Sequence, residues 1–492
     1  MLKEMEKENK HVNNPSGISV NESNFRHPPS DYGEVMGVYQ TSVNSDQTGS
    51  DIPPLSYIDI MPRCLSEGHI AGKIIPKFED FSAILEGANR WLQDHPGLTV
   101  IKCETVDKRL HEAKDGSLIY ELNEMLRNEP SNGFTVYVKG LRMWMKRNPK
   151  PSSETQQIGI RNIVPEKLTI ELPTHGHYRS GRLVISHEVR MLGGLHPFHT
   201  YEGFEDTIIR LKGHLVDDPI PGSILTIETD SLKVCQKVKK DLNPNSTCWS
   251  EEKDKWRRDT LVVRIYYIKG EPALEEIGYE DLVPYVIDPP ESDTSNHGKF
   301  ENFDSMISRL GTWVSQNQGV RIVNIQQFDA RVHQSHVGTS LHISSDSTDH
   351  VIDTHSERRM ARALRVIHVT TPLTINSANT ATDRLFLPAR TGHKTFETMT
   401  QTMERVQAWL RLTDVPVLSV ETVYILFHEH NVESTDYTLS EYTVHAESGG
   451  KHWLTAIRLY LSSTYTEPDP ADLPPVPEYH HGLHGHGPCS IL

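Results

Sequence analysis

The sequence predicts an α+β fold of four tandem β-α-β-β-like units, with disordered N- and C-terminal tails. Each unit is expected to be an antiparallel sheet covered by one amphipathic helix. Three observations predict this fold. Four internal segments align with one another, each contains a helical hydrophobic stripe, and each continues into strands of alternating polarity.

The helix is the clearest part of the repeat. Each copy opens with an aromatic residue and a glutamate, and these pairs begin at Phe78, Tyr201, Phe300 and Phe396. Apolar residues follow at offsets 3, 7, 10 and 14, the stripe of an amphipathic helix. Thirteen residues after the first aromatic come Trp91, His214, Trp313 and Trp409, and the tryptophans are predicted to lie in the core.

An alternating strand follows each helix, at residues 100–105, 224–229, 322–326 and 417–422. Alternation predicts a sheet with one face on a core and the other in water. The predicted wet face carries a carboxylate or an amide in every copy: Glu104, Glu228, Gln326 and Glu421.

A second strand recurs further along each unit, with an arginine between apolar residues: Arg142, Arg264, Arg365 and Arg458. A third strand is predicted before the helix, for example at 183–185, 283–286 and 384–387. If the first two strands are neighbours, Glu and Arg lie opposite one another as a cross-strand ion pair.

These elements and the linkers between them divide the chain into tails and units. The predicted division is a disordered tail 1–52, units 53–150, 156–290, 297–374 and 380–465, and a Pro/His-rich tail 466–492. Units of this size bury little apolar surface alone, so the first is expected to pack with the second and the third with the fourth.

Composition excludes several classes of function. The formal net charge is -16, which argues against a nucleic-acid partner and against attachment to an anionic membrane by charge alone. Five scattered cysteines without a CxxC pair predict reduced thiols and a cytoplasmic location. The N-terminus lacks a signal-peptide core, and no apolar run has the length of a membrane span.

The last four residues, Cys489 to Leu492, fit the C-a-a-X prenylation motif. The terminal Leu492 indicates geranylgeranyl transfer by a prenyltransferase, and the extended tail gives that enzyme access. A single lipid chain holds a protein weakly, and residues 466–488 contain no Lys or Arg to assist it.

The repeated polar residues have two interpretations. Glu104, Glu228, Glu421 and the four arginines form either a structural set or a ligand platform. Repetition favours structure, because a catalytic pair is needed once and a structural pair in every unit. The aromatics Trp144, Tyr266 and Tyr460, two residues after their arginines, invite stacking.

No metal, cofactor or catalytic residue is predicted. The histidine pairs lack further ligands at motif spacing, and neither a P-loop nor a nucleophile elbow occurs. The sequence therefore predicts a non-enzymatic scaffold or adaptor, peripheral on cytoplasmic membrane faces through Cys489. Protein partners would meet the wet sheet faces or the loops 106–133 and 230–258. The rivals are a small-molecule or lipid-binding protein with a cleft between paired units, and an enzyme with one diverged unit.

Overall fold

Four antiparallel sheets, each built on two long strands, make up most of the structure that the computed structural model describes. The described residues are 39–41, 54–66, 68–70, 72–113, 116–129, 134–148, 155–169, 199–234, 242–252, 257–289, 298–334, 340–352, 358–371, 378, 380–392, 394–427, 438–444 and 451–477. Everything below concerns these residues.

The elements repeat four times along the chain. The first quarter holds β1 (Tyr39–Thr41), β2 (Ser56–Ile60), β3 (Cys64–Ser66), β4 (Lys77–Phe78), α1 (Phe81–Asp94), β5 (Leu98–Glu112), β6 (Leu118–Tyr120), β7 (Leu126–Glu129) and β8 (Phe134–Arg147). The second holds β9 (Ile158–Ile163), β10 (Lys167–Thr169), β11 (His199–Tyr201), α2 (Phe204–Asp217), β12 (Gly222–Val234), β13 (Cys248–Glu252) and β14 (Arg257–Lys269).

The other half follows the same order. The third quarter holds β15 (Glu276–Leu282), β16 (Val286–Asp288), β17 (Lys299–Phe300), α3 (Phe303–Gln316), β18 (Arg321–Gln334), β19 (Leu341–Ile343), β20 (Asp349–Ile352) and β21 (Arg358–Thr370). The fourth holds β22 (Thr382–Phe386), α4 (Met399–Thr413), β23 (Val417–Phe427), β24 (Glu441–Val444) and β25 (Lys451–Leu461), followed by a short 3-10 helix at Pro470–Asp472.

Each sheet borrows one strand from the next quarter of the chain. In the first sheet the central strand β8 pairs with β5, with β2 and with β13 from the second quarter. In the same way β20 joins β14, and β24 joins β21. Finally β7 from the first quarter joins β25 of the fourth. This last pairing closes the sheets into a ring.

The strands β5, β12, β18 and β23 face one another at the centre of that ring. The Cys103 amide donates to Thr226 Oγ1 at 3.2 Å, and Asn324 Nδ2 donates to the Ile227 carbonyl at 2.9 Å. Lys102 reaches across the centre and donates to Asn324 Oδ1 at 2.6 Å. The chain is therefore a four-bladed β-propeller, in which these four strands line the axis.

The helices lie between blades. Helix α4 packs against β25 of its own blade and against Tyr57 and Trp144 of the first blade in one apolar cluster. Helix α2 joins the second and third blades in the same way, and α3 joins the third and fourth. The prediction of four α+β units, each with a helix covering its own sheet, is therefore wrong. A hydrophobic stripe shows which face of a helix is buried, but not which element covers it.

The predicted architecture is wrong, but most of the predicted positions of helices and strands are correct. All four helices and both long strands of each quarter lie where the repeat predicts them. Strand β22 overlaps the predicted third strand of the last unit, whereas 183–185 lies outside the described residues and β9 takes that place in the second blade. Strand β15 falls in the predicted second unit but pairs with β21 of the third. Each blade contacts both of its neighbours. The expected contacts of the first unit with the second, and of the third with the fourth, are therefore two of the four contacts in the ring.

The predicted tails are described in part. Strand β1 lies within 1–52 and pairs with β2. At the other end Trp409 Nε1 donates to Glu467 at 3.0 Å, and Leu473 packs against the α4 cluster. Residues 1–38, 42–53 and 478–492, including Cys489, lie outside the described residues. None of the described helices has the length and apolar character needed to cross a bilayer.

Candidate functional site

The four repeated arginines occupy the middle of each blade. Their register confirms that each faces the predicted partner, since Glu104 lies opposite Arg142, Glu228 opposite Arg264, Gln326 opposite Arg365 and Glu421 opposite Arg458. The predicted wet face is wrong, because all eight side chains except that of the half-buried Gln326 are buried. Closure of the ring places this face against the neighbouring blades.

Each arginine is held by an acidic or amide side chain on the outer strand of its blade rather than by the glutamate. Arg142 makes two hydrogen bonds to Asp59, both 2.6 Å, and Arg365 makes two to Asp281, both 2.7 Å. Arg458 pairs with Asp383, and Arg264 Nε donates to Asn162 at 2.9 Å. The predicted Glu–Arg ion pair is thus replaced, apart from a 4.0 Å contact between Arg264 and Glu228. Paired charges of this kind are the form in which buried arginine is tolerated.

The arginines also stack on aromatic rings, as predicted, but mostly on different ones. Arg142 lies over Trp144, with 5.4 Å to the ring centroid. Three arginines lie over the first residue of the helix from the preceding blade. These pairs are Arg264 with Phe81 at 4.2 Å, Arg365 with Phe204 at 3.4 Å and Arg458 with Phe303 at 4.0 Å. The stacking therefore joins neighbouring blades.

The glutamates form a closed circle of hydrogen bonds around the axis. Each accepts a backbone amide from the inner strand of the preceding blade. The donors are Thr422 to Glu104 at 2.9 Å, Gln327 to Glu421 at 2.6 Å, Thr229 to Gln326 at 3.0 Å and Thr105 to Glu228 at 3.0 Å. We call these four acceptors the axial ring. The axial ring bridges inner strands that are not paired in the sheets.

An aromatic side chain is a further donor to each carboxylate of the axial ring. Trp144 Nε1 donates to Glu104 at 2.9 Å, Tyr460 to Glu421 at 3.0 Å and Tyr266 to Glu228 at 3.3 Å. In the third blade Ile367 takes the aromatic position, and Gln326 uses its own amide to donate to the Thr229 carbonyl at 3.0 Å. Glutamine in place of glutamate and isoleucine in place of the aromatic donor are consistent with each other, because the glutamine NH₂ group needs an acceptor, whereas a carboxylate oxygen needs a donor.

Burial has an electrostatic cost in the axial ring. Desolvation raises the pKa of Glu421 to about 7 despite the nearby Lys102 and Arg458, and it also raises the pKa of Glu228. Desolvation likewise lowers the pKa of Lys102, although the charges of three nearby glutamates act to raise it. These seven predicted candidate residues, Glu104, Glu228, Glu421, Arg142, Arg264, Arg365 and Arg458, are therefore buried and bonded to other parts of the chain.

The pH dependence of stability tests the raised pKa of Glu421. The folded carboxyl titrates near 7 and the unfolded one near 4.5, so the folded state binds more protons between these values. Acidification should therefore raise the unfolding free energy of the wild type relative to that of Glu421→Gln, whose glutamine side chain does not titrate. Between pH 8 and pH 5 we expect the difference in unfolding free energy between the two proteins to move by on the order of 2 kcal/mol in favour of the wild type. Urea unfolding of both proteins measures this, and a constant difference between them would contradict it.

A small polar cavity interrupts the packing between the first and fourth blades. Its volume is about 30 Å³, and its lining includes Asp107, Lys108, Glu124 and Thr455. Between the first and second blades the equivalent space holds Lys139, which donates to Asp230 at 2.6 Å. The corresponding residues here are Thr455, which is smaller than lysine, and the uncharged Val106. We call this space the seam cavity.

Lys108 is the residue of the seam cavity that departs from the repeat. The equivalent positions hold Leu232, Ala330 and Ile425. Its Nζ donates to the Leu122 carbonyl at 2.7 Å and lies 3.8 Å from Asp59. Desolvation lowers its pKa to about 8. The sequence prediction missed Lys108, although a charge at a position that is apolar in the other copies is a signal that the alignment contains.

A second concave surface, of about 370 Å³, lies on the first blade alone, with Ile70, Leu110, His111 and Phe134 among its lining residues.

The two loops predicted to bind partners supply strands that join neighbouring blades. Loop 106–133 contains β7 and loop 230–258 contains β13, and both strands pair with neighbouring blades. Among the described residues, no cluster of three or more His, Cys, Asp or Glu could hold a metal ion.

Comparison of the chain with known protein families, curated proteins and solved structures gave no match.

Proposed function

We propose that this protein is a non-enzymatic intracellular scaffold or adaptor, geranylgeranylated at Cys489 and peripheral on cytoplasmic membrane faces. The observation that supports it is the burial of the repeated polar residues. The side chains of the axial ring and the four arginines are hydrogen-bonded to other residues of the chain, and the axial ring joins neighbouring blades. These residues therefore support a structural role for the repeat and not a catalytic one.

The space between blades supports the same proposal. Sites for small molecules have volumes of roughly 300–1,000 Å³. The seam cavity is much smaller, about 30 Å³, and the concave surface of about 370 Å³, which is within that range, lies on the first blade alone. The outer surface therefore offers more area for partners than the interior does, and protein partners are the class that such a surface fits.

Mass spectrometry of the C-terminus from the protein expressed in eukaryotic cells tests the lipid. We expect a geranylgeranyl group on Cys489 and loss of the three residues after it. Cys489→Ser should then move from membranes to the soluble fraction. Cys248→Ser is the matched control, because Cys248 is a half-buried free cysteine on β13, outside the motif. An unmodified terminus ending in Leu492, with an unchanged distribution of Cys489→Ser, would falsify the tether.

One observation favours the rival proposals, a ligand-binding protein or an enzyme with one diverged unit. Lys108 is a polar residue of one blade only, and it lines a cavity between blades. A small molecule that stays with the wild-type protein in native mass spectrometry, and is absent from Lys108→Met, would favour these rivals over the scaffold.

A further inference from the structure

A small hairpin precedes the helix in each of the first three blades. It is formed by β3 with β4, by β10 with β11 and by β16 with β17. In the fourth blade a single bridge between Arg390 and Phe396 takes its place. We call these segments the rim hairpins.

The rim hairpins of three blades carry an aliphatic side chain at the same repeat position. Cys64 pairs with Phe78 as Val286 pairs with Phe300 and Lys167 with Tyr201, and the next residues are Leu65, Ile287 and Leu168. Leu65 and Ile287 are each the extra residue of a β-bulge, which turns a side chain outward. The fourth blade has an exposed threonine, Thr391, at this position.

These three aliphatic side chains face solvent. Leu65 is 63% exposed, Leu168 47% and Ile287 65%. Further exposed apolar residues accompany them on the same hairpins, namely Ile74, Ile75, Tyr285 and Val286. Core packing explains a buried apolar residue that recurs in a repeat, but it does not explain an exposed one.

An exposed lysine accompanies each of these aliphatic residues. Lys77 and Lys299 lie on the partner strands, at equivalent register positions, and Lys167 directly precedes Leu168. Aliphatic tips flanked by lysine suit the boundary between acyl chains and anionic headgroups, although Asp288 opposite Lys299 and Glu166 beside Lys167 offset part of that charge. The net charge of -16 requires that apolar insertion, more than charge, supplies the attraction.

Ring closure determines how the rim hairpins are arranged. Equivalent positions of blades around one axis lie in a common plane across that axis. Leu65, Leu168 and Ile287 therefore share one height along the axis, as contact with one flat surface requires. A protein partner would more commonly bind one continuous patch of roughly 800 Å² on each side, whereas a bilayer accepts separate points of insertion.

We propose that the rim hairpins of the first three blades insert their aliphatic tips into the surface of an anionic lipid bilayer. This inference rests on the proposed peripheral membrane location and supplies the second attachment that a single prenyl chain requires.

Vesicle co-sedimentation of the full chain made in bacteria, which adds no prenyl group, tests the proposal. We expect binding to phosphatidylcholine vesicles that contain 30% phosphatidylserine. The triple variant Leu65→Ser, Leu168→Ser and Ile287→Ser should lower the partition coefficient at least tenfold, with an unchanged thermal unfolding midpoint. The matched control is Val216→Ser with Leu412→Ser, since these aliphatic side chains are 82% and 48% exposed at the C-terminal ends of α2 and α4, whereas the hairpins precede the N-terminal ends of the helices.

The lysines provide a second arm. Lys77→Glu with Lys299→Glu should weaken binding to vesicles with phosphatidylserine and leave binding to pure phosphatidylcholine vesicles unchanged. Equal sedimentation of wild type and triple variant would overturn the proposal and point to a protein partner for the hairpins. An equal loss in the helix control would overturn it as well. Neither result bears on Cys489, whose lipid is measured separately, so this inference and the prenyl anchor can fail independently.

Discussion

Arg142→Met is expected to lower the free energy of unfolding by about 3–5 kcal/mol, because it leaves the fully buried Asp59 without its bidentate partner. The same change removes the bond from Arg142 to Thr422 Oγ1 at 2.8 Å, which joins the first and fourth blades. Urea unfolding of the full chain measures the effect.

The double variant Arg142→Met with Asp59→Leu should recover much of this loss, since it removes both charges together. Arg63→Met is the surface control. Arg63 pairs with Glu79 at a side-chain exposure of 39%, so its loss should cost less than about 1 kcal/mol. A similar cost for Arg142 and Arg63 would show that the buried pair does not stabilise the blade.

Glutamine substitutions in the axial ring are expected to have unequal effects on stability in two blades. Glu104→Gln should destabilise the protein by about 1–3 kcal/mol at pH 7, because either orientation of the amide leaves its NH₂ group facing a buried donor. Those donors are Trp144 Nε1 and the Thr422 amide, and neither can accept a hydrogen bond.

Glu421→Gln should change stability at pH 7 by less than about 1 kcal/mol. Its amide can donate to the Tyr460 hydroxyl, which also accepts, while its carbonyl takes the Gln327 amide. The third blade already contains a glutamine in the ring at Gln326. Parallel chemical unfolding of the two variants measures the contrast. Equal effects would mean that the aromatic donor is not what selects the carboxylate.

Much of the local structure could be predicted because it depends on hydrophobic periodicity over a few neighbouring residues. The helical stripe from Phe81 and the alternation around Glu104 appear where the sequence indicates them. The opposition of Glu104 and Arg142 also follows from pairing two strands of known period. The helix of the second blade shows the limit of such patterns. Its N-cap is Gly203, and its Phe204 amide donates to the backbone carbonyl of Asp346, from the third quarter of the chain, at 2.9 Å.

The candidate residues could be located, but their environment could not. Alternation tells which residues share a face, and a lone sheet would leave the face of Glu104 and Arg142 in water. Their burial comes from other blades more than a hundred residues away, such as Thr422 on Glu104. The alignment shows Lys108 as a charge at an otherwise apolar position, but its cavity exists only where the last blade meets the first.

The sequence by itself determined the four-copy repeat, the positions of the helices and long strands, and the opposed glutamates and arginines, because each depends on period and propensity along a few turns or strands. Only the tertiary structure decided that the copies close into a propeller, that β7 seals it against β25, and that the polar faces become its axis. Closure depends on contacts between residues far apart in the chain, and a pattern in one segment carries no information about which distant segment will cover it.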